Sequence, residues 1–188
     1  MHPYTIGGIN LLPEEEKRAI YSRLIPRELI ERFGLPRSYA DEQGRSLLTG
    51  KWASGNPSAE MSLFHQADFP DPILYGHLTD TMNGQVHVLL YILNDPDSPR
   101  FEVDRMPDGR ATKFGTLLRN LEAERAAMQA GLAPGQVRHG LRLLHPAMIA
   151  FENFVEDLVT TCILWSPCII TTPSFFSDMG FLISRDAN

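Results

Sequence analysis

The chain has 188 residues and a mass of 21.1 kDa, which is the size of one domain. Hydrophobic residues make up 43% and charged residues 21%, so disorder is excluded for the bulk of the chain. The 17 basic and 23 acidic residues give a formal net charge of −6, which argues against nucleic acid or an anionic membrane as the main partner.

The N-terminal segment combines an arm with helices. Residues 1–12 are expected to form an extended arm. Pro13 followed by three glutamates is typical of a helix start, and apolar residues recur at helical spacing up to Phe33. Pro26 predicts a break between two short helices, and Gly34 predicts the end of the second one.

A hairpin is the strongest local strand signal. Its centre is Asn83-Gly84, a dipeptide that favours a two-residue type I′ turn because both residues need positive φ. Such a turn would place Asp80 opposite His87 and His77 opposite Leu90.

The order of elements predicts the fold class. Residues 45–114 carry mainly strand signals, and residues 116–158 read as two helices, the second starting near Pro134 and kinked at Pro146. Residues 159–188 return to strands and loops. Because strands and helices are segregated, we expect a single α+β domain whose curved antiparallel sheet has helices packed on one face.

Cysteine usage and the C-terminal region indicate where the protein resides. Cys162 and Cys168 are too few for a disulfide scaffold, and the N-terminus has no basic segment followed by an apolar run. Residues 158–177 carry no charge, but Pro167 and Pro173 favour buried strand and loop over a membrane span. We therefore expect a cytoplasmic protein that does not bind a membrane.

The predicted pair of Asp80 and His87 is the first candidate site. Opposed residues of a hairpin have Cβ atoms about 5 Å apart, and a carboxylate can raise the pKa of an imidazole and orient its ring. The pair could act as a general acid and base. The alternative is a cross-strand polar pair on a solvated sheet face.

The predicted second helix carries the second candidate site. His145 lies at the edge of its apolar stripe, and Arg138 and Arg142 lie within two turns of it. These are the parts of a haem site, with His145 or His77 as the iron ligand and the two arginines near the propionates. The alternative is a basic helix face and a core histidine. No separate metal site is predicted, because the two cysteines lack a second ligand pair at zinc spacing.

Three segments resemble an uncharacterised bacterial family that is labelled as haem-binding. They comprise residues 75–84, 94–104 and 132–138, and the resemblance would span about 71–158. It implies haem as a cofactor and assigns no ligand residue.

Three functions follow from these features. The first is binding of a small apolar or planar ligand, with haem as the candidate, in a pocket between sheet and helix. The second is an enzyme that uses Asp80 and His87. The third is a non-catalytic interaction module, in which the exposed apolar stripe of residues 1–33 would be the surface for a homodimer or for another partner.

Overall fold

The computed structural model describes residues 5–82, 85–112 and 119–163. These ranges contain five α-helices and four β-strands. The helices are α1 (Ile6–Ile9), α2 (Glu14–Tyr21), α3 (Arg27–Phe33), α4 (Leu121–Gln129) and α5 (Leu144–Ile163). The strands are β1 (Leu48–Lys51), β2 (Ser58–Leu63), β3 (Leu74–Asp80) and β4 (Val86–Leu93).

The sheet is antiparallel, with the strand order β1-β2-β3-β4, and this confirms the α+β prediction. Its inner face is apolar and buried, whereas the other face, here called the open face, is half-exposed. The inner face includes Leu48, Ala59, Met61, Leu63, Leu74 and Leu78. Helices α1, α2, α3 and α5 contribute buried side chains to the core on this inner face. These four helices therefore cover one side of the sheet.

The helices predicted for residues 13–34 are confirmed. Three glutamates occupy the first turn of α2, where the positive end of the helix dipole stabilises carboxylates. Pro26 precedes α3, and a 3₁₀ turn at Ser22–Leu24 joins the two helices. Gly34 ends α3 with φ 58°, a conformation that glycine adopts without steric cost.

The extended arm predicted for residues 1–12 is wrong for its described part. Residues 6–9 form α1, and the side chain of Thr5 caps it by accepting a hydrogen bond from the Gly8 N–H at 3.0 Å. Ile6 and Ile9 are fully buried in the core. Burial of these two side chains stabilises a segment that has no helical periodicity long enough to detect in the sequence.

The strand signals predicted for residues 45–114 do not extend beyond β4 in the described part of the chain. Residues 94–112 are irregular apart from single bridges, such as that between Arg105 and Ala111. Val103 from this region instead packs with Ala127 and Leu132 in a small second core beneath α4.

The second predicted helix begins later and ends later than expected. Residues 131–143 are irregular, so α5 starts at Leu144 rather than near Pro134. Pro146 falls in the first turn of α5, where a missing N–H is tolerated, and it does not interrupt the helix. Residues 159–163 are helical instead of extended, because α5 continues to Ile163.

The remaining predictions for the C-terminal region, residues 164–188, lie outside the described residues, as does the predicted helix start at residues 116–118. Among the helices that are described, none combines the length and the apolar character needed to cross a bilayer.

Candidate functional site

The hairpin between β3 and β4 differs from its predicted register. The Thr81 N–H donates a hydrogen bond to the Gln85 carbonyl at 2.8 Å, so three residues separate these paired positions. Asp80 consequently pairs with Val86 rather than with His87. The predicted Asp80–His87 opposition is therefore wrong. The predicted type I′ turn at residues 83–84 lies outside the described residues.

A β-bulge in β4 restores the expected register farther from the turn. Leu78 pairs with Val88, whereas His77 pairs with Leu90, so Leu89 is an extra residue on β4. The turn is one residue longer than predicted, and the extra residue in β4 compensates for this, so the pairing beyond the bulge is the predicted one. The predicted opposition of His77 and Leu90 is confirmed for this reason.

Asp80 holds the N-terminal helix instead of forming an acid–base pair. Its Oδ1 accepts a hydrogen bond from the Ile6 N–H at 2.7 Å, and its Oδ2 accepts one from the Gly7 N–H at 2.8 Å. A carboxylate at this position satisfies amides that a helix N-terminus leaves unpaired. His87 is exposed and pairs with Thr79. The two predicted catalytic residues are not brought together.

His77 lies on the open face within a polar network that the sequence analysis missed. Its Nε2 is 2.8 Å from Ser58 Oγ, and its cross-strand partner is Glu60. Glu60 accepts hydrogen bonds from Lys51 at 3.0 Å and from the Tyr75 hydroxyl at 3.1 Å. The Lys51 ammonium lowers the pKa of the Glu60 carboxyl. Alternation of polar and apolar residues along β2 was the signal that could have revealed this network.

The Arg138 side chain is buried, and its charge is paired inside the protein. Its Nε donates to Asp71 Oδ2 at 2.8 Å, and its guanidinium also donates to the carbonyls of Pro96 and Ser98. The guanidinium stacks over Phe69, 5.3 Å from the ring centroid. Arg138 thus ties three loop segments together and does not present its charge to a bound anion.

Arg142 and His145 lie near each other in sequence at the start of α5, and both are exposed. Because α5 packs on the inner face and His77 projects from the open face, His77 lies on the other side of the sheet. The predicted haem-binding residues are therefore distributed over three places in the described structure. The two alternative iron ligands, His145 and His77, thus lie on opposite sides of the sheet, and Arg138 is held in an internal ion pair, so Arg142 is the one predicted arginine that is exposed.

A small groove lies where the end of β4 meets the start of α5, which is the predicted location of a pocket between sheet and helix. Its volume is about 150 Å³. It is lined by Tyr91, Leu93, Gly140, Leu141, Arg142, Leu143 and Leu144. Pockets for drug-sized ligands occupy about 300–1,000 Å³, whereas a cavity of about 150 Å³ accepts a single benzene ring. The groove therefore has room for one apolar side chain or one small ring.

The outer edge of β4, here called the β4 edge (Val86–Leu93), is apolar, and the described part of the chain leaves most of it uncovered. In the described ranges, it meets another segment only at its end, where the Leu141 N–H donates to the Leu93 carbonyl at 3.2 Å. The strand carries no formal charge, and Leu89 and Leu90 are 50% and 47% exposed. Natural sheets usually protect such an edge with charged side chains, with proline, or with a helix or loop that covers it.

The opposite edge of the sheet differs in this respect. β1 has four residues, and its Lys51 forms an ion pair with Glu60 across the sheet. A short strand that carries a lysine is a typical protected edge. The β4 edge is thus the better candidate for pairing with another strand.

Comparison with known proteins gave no match to a protein-family model, to a curated protein or to a solved structure.

Proposed function

We propose that the protein is a non-catalytic interaction module that binds an extended polypeptide along the β4 edge. The observation that carries the proposal is the uncharged β4 edge, which the described residues leave largely uncovered and which continues into the apolar groove at its end. The proposal keeps the predicted interaction module but moves its surface. In the described part of residues 1–33, the apolar stripe packs against the core: Leu24 and Leu29 are buried, and Ile20, Ile30 and Phe33 are partly buried, so little of the stripe is left for a partner.

Strand addition explains how this surface would bind. The unpaired amide and carbonyl groups of an edge strand provide main-chain hydrogen bonds, and pockets beside the strand select side chains. A groove of about 150 Å³ next to Tyr91 and Leu93 can take one apolar side chain of an added strand. Covering the exposed halves of Leu89 and Leu90 would contribute about 1 kcal/mol each.

The test is the binding of a defined β-forming peptide. A fluorescein-labelled peptide with four Thr-Val repeats, flanked by lysines for solubility, is titrated with the protein and its anisotropy is measured. We expect saturable binding that Leu90→Lys weakens at least tenfold, because a lysine at the centre of the edge opposes strand pairing.

Leu121→Lys is the matched control, since Leu121 is also an exposed leucine, 63% exposed against 47% for Leu90, and it lies on α4, away from the β4 edge. It should bind as the unmodified protein does. Equal binding by the Leu90→Lys and Leu121→Lys variants, or no binding at any concentration, would contradict the proposal.

Binding of a small ligand in the same groove is a second candidate function, and Arg142 favours it. This arginine lines the groove and is exposed, so it could pair with a carboxylate while the leucines contact an apolar body. The groove volume suits a one-ring acid. Titration with benzoate should shift the amide NMR signals of residues 140–144, and Arg142→Gln should weaken the effect. Unchanged spectra at millimolar benzoate would remove this candidate.

A further inference from the structure

We infer that the polypeptide bound at the β4 edge presents its C-terminus there, with an apolar last residue in the groove and its terminal carboxylate on Arg142. The groove is the one that lies at the end of β4, beside Tyr91 and Leu93. This inference rests on the proposed function, because it names which part of the polypeptide occupies the end of the same surface and in which direction the chain runs.

The β4 edge is closed at one end. The Leu141 N–H donates to the Leu93 carbonyl at 3.2 Å, and Asn94 forms an antiparallel bridge with Gly140. The position beside β4 is therefore already occupied beyond Leu93. A strand added along Val86–Leu93 cannot continue past this point as a strand, so its last paired residue lies beside the groove.

The charge in the groove selects which chain end fits there. Arg142 is the one charged residue among the seven that line the groove. It is exposed, and its side chain has no hydrogen bond or ion pair with any other residue that the structure describes. A guanidinium group forms charge-assisted hydrogen bonds with a carboxylate, whereas it repels an ammonium group. The groove therefore favours a C-terminus over an N-terminus.

The direction of the added strand follows from this choice. β4 runs from Val86 to Leu93, so its C-terminal end lies at the groove. A bound strand whose own C-terminus lies at the groove must run parallel to β4. The result would be a mixed sheet, which is a common arrangement. The residues that precede the C-terminus would then cover the half-exposed Leu89 and Leu90.

The backbone of Arg142 supports a role in binding. Its φ is 58°, in the left-handed region that favours glycine and is unfavourable for a residue with a Cβ atom. Residues in such conformations concentrate at ligand-binding sites, where the surrounding structure holds them in place. Leu141 is buried on one side of Arg142, and α5 begins at Leu144 on the other. Both ends of the short segment that carries the guanidinium are thus anchored.

Two peptides that differ only at the C-terminus test the inference. Each carries fluorescein and lysines at its N-terminus, followed by four Thr-Val repeats, and one ends in a free carboxylate whereas the other ends in an amide. Anisotropy titration with the unmodified protein should give a Kd at least tenfold lower for the acid. Arg142→Gln should abolish this difference by weakening the binding of the acid alone.

Arg125→Gln is the control variant, since Arg125 is an exposed arginine on α4. This variant should keep the full preference for the acid. A preference that survives Arg142→Gln, or one that Arg125→Gln also removes, would overturn the assignment of the carboxylate to Arg142.

The same two peptides separate this inference from the proposed function. If the acid and the amide bind equally and Leu90→Lys weakens both, the C-terminal inference is overturned and the proposed function stands. If neither peptide binds, both are overturned.

Discussion

Asp71 and Arg138 form an ion pair inside the protein, with Asp71 Oδ2 2.8 Å from Arg138 Nε and both side chains less than 10% exposed. Arg100 adds a second guanidinium to the same carboxylate, 3.0 Å from Asp71 Oδ2. Asp71 thus pairs with two arginines, of which Arg100 also forms ion pairs with Glu102 and Asp104. The contact between Asp71 and Arg138 connects segments 67 positions apart in the chain.

Removal of this carboxylate should be strongly destabilising. Asp71→Asn leaves Arg138 buried without its counter-charge, and loss of one partner of a buried ion pair costs about 3–5 kcal/mol. Urea denaturation followed by circular dichroism measures the change. Asp68→Asn is the control, because the ion pair between Asp68 and Arg45 is exposed, and it should leave the midpoint almost unchanged. Similar midpoints for the two variants would show that the ion pair is not important for stability.

Asp80 should contribute to stability and not to catalysis. Asp80→Ala removes the acceptor of two amide hydrogen bonds at α1, and we expect a loss of about 1–3 kcal/mol in the free energy of unfolding. His87→Ala should change stability little, since His87 is exposed. Equal losses in the free energy of unfolding of the two variants, measured by chemical denaturation, would contradict this interpretation.

His65 should make the stability depend on pH. Its ring packs against Phe33 and Phe69, its Nδ1 is buried and has no hydrogen-bond partner among the described residues, and burial lowers the pKa of its imidazole below 6.5. The unfolded chain therefore binds a proton more readily than the folded one. Stability should be full above pH 6.5 and should fall as the pH decreases towards the folded-state pKa.

The matched variant for this prediction is His65→Phe, which keeps an aromatic ring and removes the titrating group. Its midpoint of urea denaturation should decline less than that of the unmodified protein between pH 7 and pH 5. Parallel pH profiles of the two proteins would assign the dependence to other groups.

Haem binding stays a prediction, and a haemin titration tests it directly. If His145 ligates the iron, the Soret band should shift on titration and His145→Ala should abolish the shift. His77→Ala should then leave the shift intact, because His77 lies on the other side of the sheet. Soret spectra that do not differ from those of free haemin would remove haem from the candidate ligands.

Helix boundaries were predictable where the backbone conformation of a single residue determines them. Pro26 removes a helix donor and Gly34 accepts a positive φ in any context, so the boundaries of α3 follow from the sequence. The sheet was predictable in class because strand and helix signals are segregated along the chain.

The candidate site was not predictable, because distant contacts determine it. The Asp80 N–H donates to the Pro57 carbonyl at 2.8 Å, and its carboxylate binds α1, so the end of β3 is fixed by two segments far away in sequence. Likewise, nothing near Arg138 in the sequence indicates that Asp71 is its partner. The sequence does not indicate that β4 is an edge strand, because that position follows from the order of the strands in the sheet.

The extra residue in β4 also decides which side chains of the strand tip contact water. If β4 had no bulge and the predicted register applied, His87 would lie opposite Asp80 on the inner face, and Val88 would point outwards. In the observed register, Val86 and Val88 are half-buried on the inner face and His87 is exposed. The bulge at Leu89 thus leaves the imidazole of His87 in water and keeps Val86 and Val88 partly buried.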